Sequence, residues 1–265
     1  MIRTSFSVQS RSVDSFLRSL PLIVVFVLLW YVSTELFFSQ ARLFPAPADV
    51  WEALVDILGG EGGTQSTYAA TFATLKRLTI AFSISFVLGC VVGVIAGRKP
   101  LFFEFVSTPM WVGMAVPSIV WVFVFVVILG TGDTVPVLAL CILLVPNIAV
   151  PVAEGAKASS KHLSEMANAY HATLYQTVMQ VYIPQLVPYF ASAARVAFSL
   201  GVKVVVIAEV VGIEHGIGYE LNFWFTAIQM APVAAWGIIL MTFGVIVDKL
   251  LFSPLERRAK RWQAA

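Results

Sequence analysis

The sequence predicts an all-α integral membrane protein of about six transmembrane helices, and three observations carry that prediction. Hydrophobic residues make up 59% of the 265-residue chain and charged residues only 12%, about half the charged share of a soluble domain. Cutting the chain at every Asp, Glu, Lys and Arg leaves uncharged runs at 19–34, 78–97, 105–132, 134–153, 166–194 and 221–247. A bilayer span needs about 20 apolar residues, and no soluble core of this size needs so many such runs. Finally, the charges between the runs sort by side. Arg3, Arg11, Arg18, Arg98, Lys99, Lys157, Lys161, Lys249, Arg257, Arg258, Lys260 and Arg261 mark one face, while Asp49, Glu52, Asp56 and Glu61 oppose Arg42 on the other. By the positive-inside rule both termini are cytoplasmic, so the number of spans is even. Lys76 and Arg77 are the exception. A net charge of +2 gives no argument for a nucleic-acid partner.

The first helix is read at 20–38, after a cytoplasmic segment 1–19. Its apolar stretch is too long for a cleaved leader and has no small-x-small cleavage site, so it stays attached. An outer loop, 39–77, follows. Within it Pro47 suits a first helical turn, and Val50, Leu54 and Ile57 recur at helical spacing opposite Asp49, Glu52 and Asp56, the pattern of a short amphipathic surface helix. Glycines at 59, 60, 62 and 63 end it.

The second helix spans 78–97, and Gly89, Gly93 and Gly97 give it two overlapping Gly-x-x-x-Gly spacings for close packing within the bundle. The third spans 106–129. Pro117 breaks its backbone hydrogen bonds, and Trp121 follows one turn later, so both are candidates for lining a pathway; a packing kink is the alternative. The fourth spans 134–153 and contains Pro136, Pro146 and Pro151. Cys90 and Cys141 sit inside apolar runs, act as small apolar side chains, and suggest neither a metal site nor a disulfide.

A cytoplasmic loop, 154–189, precedes the fifth helix. Ser164 is a candidate N-cap for a helical stretch that carries Met166, Ala169 and Tyr170 on one side, with a turn at His171. Leu174, Val178 and Val181 then share a face up to Pro184 and Pro188. Such a helix–turn–helix is either a compact knob for a cytosolic partner or an ordinary interfacial segment.

This loop resembles the EAA loop of ABC-importer permeases. Glu165 and Ala167 match its Glu-Ala-Ala, Met166 replaces the first Ala, and Tyr182–Ile183–Pro184 matches its hydrophobic end at the expected distance. His171 stands where the family nearly always has Gly, at a turn needing positive φ, a region His can occupy at some cost. The segment Leu-Phe-Pro-Ala-Pro-Ala-Asp-Val-Trp-Glu-Ala-Leu at 43–54 resembles permeases of the nitrate/sulfonate/taurine/bicarbonate group. So does Ala-Glu-Val-Val-Gly-Ile-Glu-His-Gly-Ile-Gly-Tyr at 208–219, with Arg195 at its usual distance before Glu209. The resemblance implies a type I ABC importer permease fold in a bacterial inner membrane. It also implies two cytosolic ATPases, a second permease copy (a homodimer) and an extracytoplasmic substrate-binding protein. Residues Ser164, Glu165, Met166, Ala167, Ala169, Tyr170, His171 and Ala172 would then contact the ATPase. It places the fifth helix at 190–211, where hydropathy alone hesitates over Arg195, Lys203 and Glu209. The sixth is read at 233–252.

The chain cannot supply its own energy, because no Gly-x-x-x-x-Gly-Lys phosphate loop occurs in it. ATP and Mg²⁺ belong on the partner ATPase, and no cofactor is expected here. Neither His-Glu-x-x-His nor Gly-x-Ser-x-Gly occurs, so a membrane enzyme is disfavoured. A gradient-driven carrier is the alternative, although six helices are few for one and no internal repeat is visible.

Within the spans, Lys203 is the leading candidate. A mid-span cation costs about 2.5–3.5 kcal/mol on the insertion scale and faces protein or water. It either lines the pathway and attracts a small anion, or snorkels or pairs with a carboxylate. Glu209, near the outer end of the fifth helix, either braces a gate or is solvated at the interface. The glycines at 212, 216 and 218 leave a re-entrant or surface segment before Tyr219, and His215 reads as a surface residue. The sequence does not choose between a small anion and a heterocyclic vitamin precursor as solute.

Overall fold

A computed structural model describes residues 21–22, 24–36, 44–60, 62–158, 166 and 169–256 of the chain. Among the described residues the chain is built from helices and their connections. They are α1 (Val24–Leu36), α2 (Pro47–Gly59), α3 (Thr67–Arg98), α4 (Pro100–Ala115), α5 (Ser118–Leu129), α6 (Thr134–Ala158), α7 (Thr177–Gly212), α8 (Ile217–Thr226) and α9 (Met230–Glu256). Helices α3, α6 and α9 are each long and apolar enough to cross a membrane. The α4–α5 and α7–α8 pairs pass the same test as bent spans. These make three to five apolar spans among the described residues, beside the shorter apolar α1, and the chain is a multi-pass membrane protein.

The centre of the bundle is the α3–α6 seam. Along it Ala81 meets Cys141, Gly89 meets Ile148, Gly93 meets Val152 and Gly97 meets Ala156. Because the numbers rise together on both helices, the two run parallel. The contact is closer than any side chain would allow: a Cβ on Gly89 would lie 2.7 Å from Ile148 Cβ, and one on Gly93 2.6 Å from the Ala149 carbonyl oxygen. The glycine spacing read from the sequence therefore serves packing within the bundle. Helix α7 completes this core, with Leu78, Leu140, Leu144, Ile148, Ala197 and Val205 buried together.

A second buried cluster gathers Val50 and Ile57 of α2, Ala70 of α3, Ile217 of α8 and Trp236 of α9. The amphipathic helix expected in the 39–77 loop is α2. It starts at Pro47 and stops where Gly60 takes φ 90°, a left-handed cap that glycine adopts without strain. Its Val50 and Ile57 face packs against α9, while Trp51, Val55 and Leu58 stay exposed.

Three expectations about element limits need correction. The single helix 106–129 is two helices bent by 98° at Val116 and Pro117, because Pro117 cannot continue α4 and starts α5 instead. The second span begins at Thr67 rather than Leu78, since Lys76 and Arg77 lie within the helix and do not bound it. The fifth helix begins at Thr177 rather than 190, inside the expected 154–189 loop, and the glycine-rich segment after it leads into α8, a helix of 10 residues bent 56° from α7.

Candidate functional site

Helix α7 carries a polar stripe through its apolar middle. Ser192, Arg195, Ser199 and Lys203 follow each other at steps of three, four and four residues, which is one face of a helix. All four line a single open cavity of about 690 Å³, together with Asn147 of α6 and Asp248 and Glu256 of α9. Lys203 and Ser199 are exposed to it. Lys203, Arg195, Ser199 and Asp248 also line an adjoining cavity of about 510 Å³ between α7 and α9, whose other walls include Phe198, Leu240, Met241 and Phe252. The cation singled out from the sequence thus faces a space.

At the Arg195 end of the stripe each guanidinium nitrogen donates a hydrogen bond. Its Nε and Nη2 donate to the two carboxylate oxygens of Asp248 at 2.6 and 2.9 Å, and Nη1 donates to Glu256 at 2.7 Å. The two-pronged contact with Asp248 is the geometry that a planar guanidinium matches best. Asp248 opens a π-helical turn, Asp248–Phe252, in α9.

Glu209 occupies a different place. It has no exposed surface and sits in a buried polar cluster at the other end of α7. Arg77 Nη1 donates to Glu209 Oε1 at 2.6 Å, while Thr74 Oγ1 and the Gly218 N–H donate to Oε2 at 2.8 and 2.9 Å. The Ile217 N–H donates in turn to Thr74 Oγ1 at 2.9 Å. Glu209 and Thr74 therefore satisfy the first backbone N–H groups of α8, where a carboxylate also complements the helix dipole. Gly216 and Gly218 are required here: a Cβ on Gly216 would lie 2.6 Å from the Glu209 carboxylate carbon, and one on Gly218 2.6 Å from Glu209 Cβ.

Arg77 joins four parts of the chain. Besides Glu209 it donates to Asp133 through Nε and Nη2 at 3.0 and 2.6 Å and to the His215 carbonyl at 3.0 Å. The hydrogen bond from Arg77 holds the Asp133 carboxyl below the ordinary carboxylate range, partly offset by desolvation. His215 is half-exposed with Nε2 3.3 Å from Asp133. A second buried carboxylate, Glu220 in the first turn of α8, accepts from the Thr64 N–H and hydroxyl and from the Gln65 N–H at 3.1, 2.5 and 3.1 Å. It ties the α2–α3 connection to α8. Thr74, Asp133 and Glu220 were not singled out in the sequence, and Arg77 only as an exception to the charge rule. For the three charged ones the signal was there: charges of both signs closing apolar runs.

Of the coupling-loop residues, Ser164, Glu165 and Ala167 lie outside the described residues. Met166 and Tyr170 are exposed, and the Tyr170 N–H donates to the Met166 carbonyl at 3.0 Å. His171 takes φ 52°, the left-handed conformation for which glycine is ordinarily used. Ala172 is half-buried. The loop's return into α7 passes under α3, where the Arg98 guanidinium stands 3.6 Å from the Tyr182 ring centroid. Trp121 packs against the central core with its indole N–H buried and without a hydrogen-bond partner among the described residues. Pro117 marks the α4–α5 bend. The structure does not bring Pro117 or Glu209 to the Lys203 cavity.

Comparison with known proteins agrees with this architecture. The family described as "binding-protein-dependent transport system inner membrane component" matches residues 85–260. The taurine transport system permease protein TauC of Escherichia coli is 22% identical over 92% of this chain and 89% of its own length. The nitrate import permease protein NrtB of Synechococcus elongatus is 23% identical over 97% and 96%. The formylaminopyrimidine transport permease protein ThiX of Halalkalibacterium halodurans is 22% identical over 84% and 87%. Among solved structures, a chain of an amino acid ABC transporter superposes with a TM-score of 0.60 at 19% identity, covering 78% of this chain and 95% of that one. A chain of the MetNI methionine ABC transporter superposes with a TM-score of 0.53 at 21% identity, covering 81% and 94%.

Proposed function

Since the chain belongs to the family of binding-protein-dependent transport system inner membrane components, we propose that it forms the translocation pathway of an ATP-driven importer for a small anion. Its partners are two cytosolic ATPases carrying ATP and Mg²⁺, a second copy of the chain and an extracytoplasmic binding protein. The chain itself binds no cofactor. It lies in the bacterial inner membrane with both termini cytoplasmic.

One observation supports the substrate side of this reading: Lys203, in the second half of α7, faces a cavity lined by Asn147, Ser192 and Ser199 and, further along, by Arg195 with Asp248 and Glu256. A cation that has given up water in a span is retained where it meets water, a counter-charge or a solute. Relatives named for taurine and nitrate accord with an anion. The relative named for formylaminopyrimidine keeps a heterocyclic solute as the second reading.

Energy enters at the other end. The segment 164–172 docks on the ATPase, and closure of the ATPase pair moves it, switching the permease pair between inward- and outward-open states. Two features support a mechanical role: the sharp turn at His171 and the stacking of Tyr182 under Arg98, which joins the loop to the 32-residue helix α3. Glu165 and its neighbours transmit motion and do no chemistry.

Reconstitution into proteoliposomes with the co-purifying ATPase tests the proposal. Uptake should require ATP, and Lys203→Met should abolish it while the ATPase stays bound. Uptake that follows an ion gradient without ATP would instead identify a secondary carrier, and full uptake in the Lys203→Met protein would remove Lys203 from the pathway.

A further inference from the structure

We infer that the solute of the Lys203 cavity is an anion that also carries a hydrogen-bond donor, an amino- or hydroxy-substituted sulfonate or carboxylate, and that Asn147 of α6 selects it over donor-free anions. The inference deepens the permease reading and rests on it.

The polar groups that the cavity wall leaves without partners lead there. Among the described residues the Lys203 ammonium makes no hydrogen bond or ion pair, and it is exposed to the cavity. Asn147 Nδ2 donates to the Leu143 carbonyl of its own helix at 2.7 Å. A carbonyl oxygen only accepts, so this contact fixes which end of the amide is nitrogen and leaves Oδ1 as an acceptor in need of a donor. Ser192 is spent in the same way. Its hydroxyl donates to the Tyr189 carbonyl at 3.1 Å, and what it offers the cavity is an oxygen lone pair. The wall therefore presents a cation at Lys203 and acceptors beyond it. The other charges nearby answer one another: Arg195 donates to both Asp248 and Glu256, and Lys249, on the adjoining cavity, also acts on Asp248.

The register of the two helices sets the size of the solute. Gly155 of α6 faces Tyr189 of α7, and Leu144 faces Gly201. The numbers run in opposite senses, so α6 and α7 are antiparallel and Asn147 stands level with Phe198 and Ser199. Lys203 is four residues beyond Ser199, about 6 Å along the axis. A molecule with its anionic group on Lys203 and its donor on Asn147 Oδ1 is thus compact, with the two groups a few bonds apart. A donor-free anion in the same place displaces the water that Oδ1 would otherwise use and gives it nothing in return.

The test is a matched series of probes on the full chain, purified in mild detergent with any ATPase that accompanies it. Ethanesulfonate, 2-hydroxyethanesulfonate and 2-aminoethanesulfonate share one anionic group and differ in the donor. The rise in unfolding midpoint with probe concentration, at constant ionic strength, gives a Kd for each. Both donor-bearing probes should bind the parent chain about fivefold more tightly than ethanesulfonate, the worth of one ordinary hydrogen bond. Asn147→Leu should erase that preference and keep binding of ethanesulfonate. Asn147→Ala should do the same, should the leucine variant fold poorly. Lys203→Met should weaken all three probes. Equal Kd values across the series in the parent chain would overturn the inference, as would a preference that survives both Asn147 variants or no protection by any probe. The parent series needs no ATPase, whereas co-purification of an ATPase reports on the permease reading, so the two can fail separately.

Discussion

Arg77 and Glu209, 132 residues apart in sequence, form a buried ion pair at 2.6 Å, with the Arg77 side chain 3% exposed and Glu209 fully enclosed. Two charges are kept inside an apolar bundle only when their hydrogen-bonding capacity is met. Here Asp133, Thr74, the Gly218 N–H and the His215 carbonyl meet it. The pair locks α3, the α5–α6 turn, α7 and the start of α8 together at one end of the bundle.

Breaking this pair should be costly. Glu209→Ala leaves the Arg77 guanidinium without its innermost partner, and the loss should be about 3–5 kcal/mol. Thermal unfolding in detergent would read it as a large fall in midpoint. Glu209→Gln keeps the hydrogen-bonding shape and should lose less. A midpoint unchanged by Glu209→Ala would mean the cluster contributes nothing to holding α8.

The α3–α6 seam should tolerate no side chain. Gly93→Val places branched carbons where Ala149 and Val152 already stand, and overpacking of this kind costs about 1–3 kcal/mol or more. Monodisperse protein should fall sharply in size-exclusion profiles. Gly59→Ala, where nothing lies within 4 Å, should leave the profile unchanged.

At His171 the backbone sets the order of substitutions. With φ at 52°, His171→Gly should retain or improve ATPase co-purification, because glycine enters the left-handed region freely. His171→Val should reduce it, since a β-branched residue there is a true outlier. Equal recovery from both variants would separate the turn from docking.

Asp133 sets a small acid dependence. Its folded-state carboxyl titrates below the ordinary range because Arg77 donates to it. The ion pair therefore adds stability that is fully present above the unfolded carboxylate range, about pH 4, and is lost as the pH falls through the lower folded value. With the side chain 56% exposed, the effect should stay under about 1 kcal/mol. Asp133→Asn should flatten that acid limb in an unfolding series from pH 5 to pH 3.

The spans were readable because apolar length is nearly all that a bilayer requires. α3, α6 and α9 stand where uncharged runs stood, and Pro47 with Gly60 bounded α2. What escaped was set by pairing across the fold. Arg77 looked like the edge of a helix because hydropathy treats every charge as solvated, and only the fold supplies Glu209 and Asp133 to bury it. The same blindness hid α8, whose start depends on a carboxylate from α7 and a hydroxyl from α3. Pro117 announced a break but not its angle, which the packing of α4 and α5 decides. Lys203 could be singled out as a mid-span cation, whereas the cavity it faces needs Asn147 from α6 and Asp248 from α9.

The most direct measurement is isolation of the tagged chain from its native membrane in mild detergent, with identification of co-purifying proteins and assay of ATP hydrolysis. An ATP-hydrolysing partner at roughly equal stoichiometry, as expected for two permease copies with two ATPases, is the predicted result. Replacing Glu165 and Ala167 by bulky residues should remove it. A chain that emerges alone and without ATPase activity, in the mildest detergent that keeps it folded, would contradict the importer account.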